Sequence, residues 1–183
     1  MPFLYRGHFV FLRSPRMTST GLNVSALIGF ANGVTSILGE YGPTHAVLAM
    51  DPGGPTFRHE AYPPYKAQRE QMPEDLAANI PYAFELAEAL GLPVVRKEGF
   101  EADDVMGTLA TRAAQEGFEV YCATPDKDAA QLVGPHIRLF RPGHGKEGPT
   151  IYDEARVKEH WSLAAPAQMI DYLALAIYPG ESG

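Results

Sequence analysis

Residues 119–128, Glu-Val-Tyr-Cys-Ala-Thr-Pro-Asp-Lys-Asp, join a short apolar run to a loop that carries two carboxylates. The run predicts a strand over 119–124, because a short apolar segment bounded by glycine and proline is typical of a buried strand. Asp126 and Asp128 then lie just beyond the carboxyl end of that strand. Open α/β sheets keep their chemistry in the crevice at that edge. The stretch therefore predicts an α/β protein with its functional site at the carboxyl ends of its strands.

The segments on either side alternate between strand and helix patterns. Short apolar runs predict further strands over 45–50, 93–96 and 136–140. Apolar residues at helical spacing predict helices, of which the second is expected to kink at Pro81, over 24–38, 73–90, 101–114, 153–161 and 167–175, with a short one ending at 133. This alternation predicts one domain built on a parallel, doubly wound sheet.

Six carboxylates fall where such a sheet would gather them. One follows the strand 45–50, three lie at the start of the helix 101–114, and two follow the strand 119–124: Asp51, Glu101, Asp103, Asp104, Asp126 and Asp128. Carboxylates this close repel one another unless cations hold them together, and hard oxygen ligands suit Mg²⁺ or Mn²⁺. The pattern therefore indicates metal-assisted phosphoryl transfer. Acids in a first helical turn also complement the helix dipole, and that structural role stays open.

Composition narrows the class of protein. The chain has 183 residues, of which 45% are apolar, and a formal net charge of −7. One cysteine, Cys122, allows neither a disulfide framework nor a cysteine zinc site. No apolar stretch is long enough for a membrane span, and the first residues lack the pattern of a signal peptide. We therefore expect a soluble cytoplasmic protein without a membrane partner, and one that does not bind nucleic acid through overall positive charge.

The segment 57–69 is locally basic. It carries four cationic or imidazole side chains against one acid, with three aromatic residues between them. Such a mixture binds phosphates and stacks on bases, although a solvated loop can have the same composition. The residues of interest for nucleic-acid binding are Phe57, Arg58, His59, Tyr65, Lys66 and Arg69.

Five blocks, taken in order, resemble the 5′-3′ exonuclease domain of bacterial DNA polymerase I, which is related to the flap endonucleases. The blocks are residues 55–60, 65–69, 99–105, 124–128 and 170–175. The resemblance implies an α/β, PIN-like or resolvase-like three-layer fold, with a mostly parallel central sheet flanked by helices. It places this domain at 1–175 and leaves 176–183 as a divergent tail.

The resemblance also implies an activity. Members of this family remove 5′ ends or flaps from DNA in replication and repair, including RNA primers, with two or more divalent ions and no small-molecule cofactor. The six carboxylates named above match the family's metal-binding acids. Arg58 is expected to neutralise charge on the scissile phosphate, and Lys66 and Arg69 to line the gateway for the 5′ strand.

This chain departs from the family at both ends. It starts at a Tyr5-Arg6 pair that the family places after its first strand, so we expect that strand and its aspartate to be missing. After Leu175 we also expect the family's further metal acids and duplex-binding hairpin to be missing, and any polymerase domain to lie outside these residues. Two other interpretations stay open: a non-catalytic remnant that binds DNA or a partner through 57–69, and a PIN-like ribonuclease.

Overall fold

The computed structural model describes residues 2–68, 71–143 and 148–176. Within these residues the elements follow one another in this order: α1 (Pro2–Val10), α2 (Ser25–Tyr41), β1 (Leu48–Ala49), α3 (Phe57–Ala61), α4 (Glu74–Ala77), α5 (Ile80–Ala89), β2 (Val94–Val95), α6 (Ala102–Gln115), β3 (Val120–Ala123), a 3-10 helix (Lys127–Leu132), β4 (Ile137–Arg141), β5 (Thr150–Tyr152), α7 (Glu154–Trp161), a second 3-10 helix (Pro166–Gln168) and α8 (Met169–Ala176). None of the described helices is long and apolar enough to cross a membrane.

The chain divides into two compact units, Met1–Val105 and Met106–Gly183. In the first unit, α1 lies directly against α2. A Cβ added to Gly29 would be 2.2 Å from the Cα of Gly7, so this approach of the two backbones requires glycine. Leu4 and Phe30 are buried in the shared core with Met50, the residue that follows β1. Strands β1 and β2 pair in parallel, and their carboxyl ends therefore meet at one edge.

The helix predicted over 73–90 is two helices. α4 ends at Ala77 and α5 begins at Ile80, so the chain breaks before Pro81 instead of kinking there. Pro81 lies in the first turn of α5, where its missing N–H leaves no hydrogen bond unmade. The buried Asn79 side chain lies between the two helices and donates to the carbonyls of Asn23 (2.7 Å) and Asp75 (2.6 Å).

In the second unit, β3 pairs in parallel with β4, and β4 pairs with β5 in the antiparallel sense. Leu139, Tyr152, Val157 and Met169 form the core of this unit. Cys122 is buried, as predicted, and burial raises the pKa of its thiol to about 11. Strand β5 (Thr150–Tyr152) was not among the strands predicted from the sequence.

The strands are shorter than predicted, and in the described residues they form two sheets instead of one. The segment 45–50 contributes only Leu48–Ala49, and Val47 is 49% exposed, so the segment is not covered on both faces. The first sheet has the order β1-β2 and the second β3-β4-β5. The parallel pairs still provide the strand ends at which the acidic residues were expected.

Candidate functional site

The loops after β1 and β2 lie side by side in the first unit. Thr56 and Gly99 form a parallel bridge, and the Phe57 N–H donates to the Gly99 carbonyl at 3.0 Å. Asp51 leaves β1 at this edge, and its Oδ1 accepts a hydrogen bond of 2.9 Å from the N–H of Ala102. The bridge and this bond together fix the start of α6 against the loop that carries Asp51.

An open cavity of about 550 Å³ lies beside these two loops. Its lining is mostly polar and comes from both of them: Pro52, Gly53, Pro55, Arg96, Glu98 and Gly99. Gly53 and Gly54 have φ values of 83° and 81°, a conformation that side-chain-bearing residues seldom adopt. The loop after β1 is therefore a turn that glycine permits, and it leaves the strand edge accessible.

The first turn of α6 holds two acidic side chains close together. The Glu101 N–H donates to Asp104 Oδ2 at 2.9 Å, and the Asp104 N–H donates to the Glu101 carbonyl at 3.1 Å. These bonds satisfy backbone groups at the helix start that have no partner inside the helix. Asp103, between them in the chain, is exposed.

Arg58 pairs with Asp104 in a bidentate geometry. Its Nη1 and Nη2 donate to Oδ2 and Oδ1 of Asp104, each at 2.7 Å, and Nη1 is 3.8 Å from Oε2 of Glu101. The guanidinium carbon lies 4.6 Å from the centre of the Phe57 ring. The hydrogen bonds from Arg58 hold the pKa of Asp104 below its ordinary value, and those to Asp104 raise the pKa of Arg58. Both groups therefore stay charged through the neutral range.

Lys66 and Tyr65 pair with Glu101. The Lys66 ammonium is 2.8 Å from Oε1, and the Tyr65 hydroxyl donates to Oε2 at 3.1 Å. Partial burial disfavours the charged form of Lys66, but its hydrogen bonds to Glu101 and Tyr65 outweigh this, so the pKa of Lys66 is raised. Lys66 has a φ of 54°, which is uncommon for a residue with a side chain. The left-handed backbone conformation of Lys66 thus accompanies the ion pair between its ammonium group and Glu101.

His59 and Phe57, which are both proposed for DNA binding, also contact other residues of the fold. His59 accepts the Thr56 N–H at Nδ1 (3.1 Å) and so forms part of the cap at the start of α3. The Thr-x-x-His spacing resembles a capping box, a signal that sequence analysis could have used. Phe57 is 44% exposed and packs against Phe100, which is 41% exposed and was not predicted as a site residue. Arg69 lies outside the described residues.

Asp126 and Asp128 lie in the second unit. Asp126 caps the first 3-10 helix, because its Oδ1 accepts the N–H of Asp128 at 2.9 Å. The Asp126 N–H is itself bound to the hydroxyl of the buried Thr124 at 3.2 Å. Burial and the nearby charge of Asp126 raise the pKa of Asp128.

The six acids are thus described as two sets, four in the first unit and two in the second. Among the described residues, no three His, Cys, Asp or Glu side chains are arranged to hold a metal ion together. The chemistry of the set still fits a hard divalent ion, because every candidate ligand is a carboxylate oxygen. Its use as a metal site stays a prediction.

The comparisons with known proteins agree with the sequence-based resemblance. A family model described as 5′-3′ exonuclease, N-terminal resolvase-like domain, matches residues 1–162. DNA polymerase I of Treponema pallidum (strain Nichols) is 39% identical over 172 residues, which are 94% of this chain and 17% of that protein. The thermostable DNA polymerase I of Thermus thermophilus is 42% identical over 165 residues, 90% of this chain and 19% of that protein. The chain therefore spans less than a fifth of the length of these relatives.

Solved structures support the fold. The T5 5′-exonuclease with bound zinc has a TM-score of 0.73 at 19% identity, covering 92% of this chain and 61% of that one. The bacteriophage T5 D15 flap endonuclease in a complex with DNA and metal ions has a TM-score of 0.65 at 19% identity, covering 90% and 61% of the two chains. The predicted fold class is confirmed. The chain belongs to the 5′-3′ exonuclease family and carries its N-terminal resolvase-like domain.

Proposed function

We propose that this chain is the N-terminal part of a divalent-metal-dependent nuclease that hydrolyses phosphodiesters at the 5′ ends or flaps of DNA. The observation that carries the proposal is the cluster of Arg58 and Lys66 with Glu101 and Asp104 at the carboxyl ends of β1 and β2. The family and its DNA polymerase I relatives support the reaction class, and the T5 flap endonuclease complex supports DNA as substrate. DNA replication and repair in the cytoplasm is the setting we expect.

The metal in this proposal is Mg²⁺ or Mn²⁺, two ions or more. Its candidate ligands are the carboxylates that match the family's metal-binding acids: Asp51, Glu101, Asp103, Asp104, Asp126 and Asp128. A bound divalent ion lowers the pKa of its water and neutralises negative charge on phosphate oxygens. Zinc in the T5 5′-exonuclease supports a divalent ion, and the choice of Mg²⁺ or Mn²⁺ rests on the all-oxygen donor set.

The basic residues have two roles in this proposal. Arg58 presents a planar pair of donors that matches two phosphate oxygens, so it would contact the scissile phosphate. Lys66, with Arg69, would bind phosphates of the 5′ strand. The exposed rings of Phe57 and Phe100 lie against each other beside Arg58, where they offer surface for stacking on a base.

The test is cleavage of a labelled 5′-flap DNA with Mn²⁺. We expect the parent to cut near the branch and the Asp103→Asn Asp104→Asn double variant to be inactive. The matched control is Glu85→Gln Glu88→Gln, which removes the same charge from exposed positions of α5 and should cut at the parental rate. A folded parent that leaves the DNA intact would contradict the proposal. Cleavage of flap RNA in preference to flap DNA would favour the ribonuclease alternative.

A further inference from the structure

Four oxygen atoms of Glu101 and Asp104 all accept hydrogen bonds from protein donors. Both oxygens of Asp104 bind the Arg58 guanidinium, and Oδ2 also accepts the Glu101 N–H. Oε1 of Glu101 binds the Lys66 ammonium, and Oε2 binds the Tyr65 hydroxyl. Two positive charges from one segment, 58–66, therefore neutralise the two negative charges at the start of α6.

A divalent cation would need the same lone pairs. Mg²⁺ binds oxygen at roughly 2.1 Å and accepts little distortion of its ligand shell. A carboxylate held in a bidentate guanidinium pair presents both oxygens to nitrogen donors, so an ion that coordinates Asp104 has to compete with Arg58. The positive charges of Arg58 and Lys66 also repel an incoming cation. Carboxylate ligation and these ion pairs are therefore competing states of one site.

The cations can leave without unfolding the core. The side chains of Arg58 and Lys66 are 33% and 37% exposed, so both already contact solvent. Arg58 stacks on Phe57, whose ring stays available when the carboxylate pair opens. No residue of α3, which is five residues long and carries Arg58, is buried. Release of these two side chains therefore disturbs few packed contacts.

We infer that Arg58 and Lys66 are the resident counter-ions of Glu101 and Asp104, and that a divalent ion binds by displacing them. Both side chains are then free to bind DNA phosphates, so metal and DNA favour each other's binding. The inference rests on the proposed function, because it assigns a regulation to the same site. Unlike the proposed function, the inference requires that removal of either Arg58 or Lys66 increases the affinity for the metal ion.

The test measures Mn²⁺ affinity by titration calorimetry, without DNA and without turnover. Arg58→Gln and Lys66→Gln are each expected to lower the dissociation constant by about tenfold, because a charge-assisted pair no longer has to open. The control is Arg13→Gln with Arg16→Gln, which removes two exposed cations from the same unit and should change the affinity less than either single variant. Arg58→Lys keeps the charge but not the fork of donors, and should give an intermediate value.

A second measurement follows the side chains themselves. In the parent, the Nε–H signal of Arg58 should shift and broaden as Mg²⁺ is added, while that of Arg138 in the second unit should not change. Thermal melting confirms that each variant is folded. Unchanged or weaker Mn²⁺ affinity in folded Arg58→Gln and Lys66→Gln would overturn the inference. If the parent still cuts flap DNA in that case, the proposed function stands; if it neither binds Mn²⁺ nor cuts, both are wrong.

Discussion

The acids of the first unit and those of the second unit differ in how the protein stabilises their negative charges. In the first unit, Glu101 and Asp104 are held by side-chain cations, and the pKa of Asp104 is lowered by Arg58. In the second unit, Asp126 and Asp128 lie two residues apart without such a pair among the described residues; Asp126 accepts a backbone N–H, and the pKa of Asp128 is raised. An aspartate in the first turn of α6 is thus stabilised as an anion, whereas an aspartate that follows β3 is destabilised as an anion.

The largest expected difference between the two units is catalytic. Arg58→Ala should slow Mn²⁺-dependent flap cleavage by about 100-fold, as removal of one donor to a developing charge commonly does. Arg138→Ala removes a similar guanidinium, paired with the exposed Glu119 in the second unit, and should stay within about twofold of the parent. Single-turnover rates on the labelled flap measure both. Equal slowing by the two variants would mean that general charge, not the position of Arg58, sets the rate.

The Arg58–Asp104 pair should also stabilise the fold. A double-mutant cycle with Arg58→Ala and Asp104→Ala, followed by urea unfolding in EDTA, should give a coupling energy of about 1–2 kcal/mol, because the pair is bidentate and partly buried. The corresponding cycle for Glu119 and Arg138 should give a smaller coupling energy, since Glu119 is 52% exposed and solvent screens the pair. Coupling energies of equal size would remove the contrast between the two pairs.

Apolar periodicity predicted α2, α6 and α7 and short motifs predicted the family, because both signals are local, but neither predicted α1 or α3. The helix α6 and the acids at its start lie where the spacing put them. The pairing of Arg58 with Asp104 was harder to predict, because the two residues are 46 positions apart and their segments meet through tertiary contacts such as the bridge between Thr56 and Gly99. Local rules also missed the break before Pro81, which depends on the buried contacts of Asn79 with Asn23 and Asp75.

The cap at Asp126 gives a smaller effect in the second unit. Asp126→Ala should lower the free energy of unfolding by about 1 kcal/mol, because the Asp128 N–H loses its acceptor. Asp126→Asn keeps an acceptor and should retain most of that stability. Urea unfolding of the two variants side by side gives the difference. If Asn is as damaging as Ala, the carboxylate charge, not the cap, stabilises this loop.

The smallest expected effect concerns Asp128 and pH. The pKa of Asp128 is higher in the folded protein than its ordinary value of 3.8. Ionisation of Asp128 therefore lowers the free energy of unfolding as the pH rises through the folded pKa. Asp128→Asn should therefore raise the free energy of unfolding at pH 7 by a few tenths of a kcal/mol, with solvent screening keeping the gain small. The gain should vanish near about pH 3, where the acid is protonated in both states. For Asp104, whose pKa is lowered, ionisation adds stability that is lost as pH falls through its folded pKa.

The most direct test of the central claim, that the predicted carboxylates hold the metal of a nuclease, is a calorimetric titration with Mn²⁺. We predict that the parent binds Mn²⁺ and that Asp103→Asn with Asp126→Asn abolishes most of that binding while the fold stays intact. Glu85→Gln with Glu88→Gln, which removes two exposed acids from α5, should bind like the parent. Unchanged Mn²⁺ binding in the Asp103→Asn Asp126→Asn variant would contradict the account.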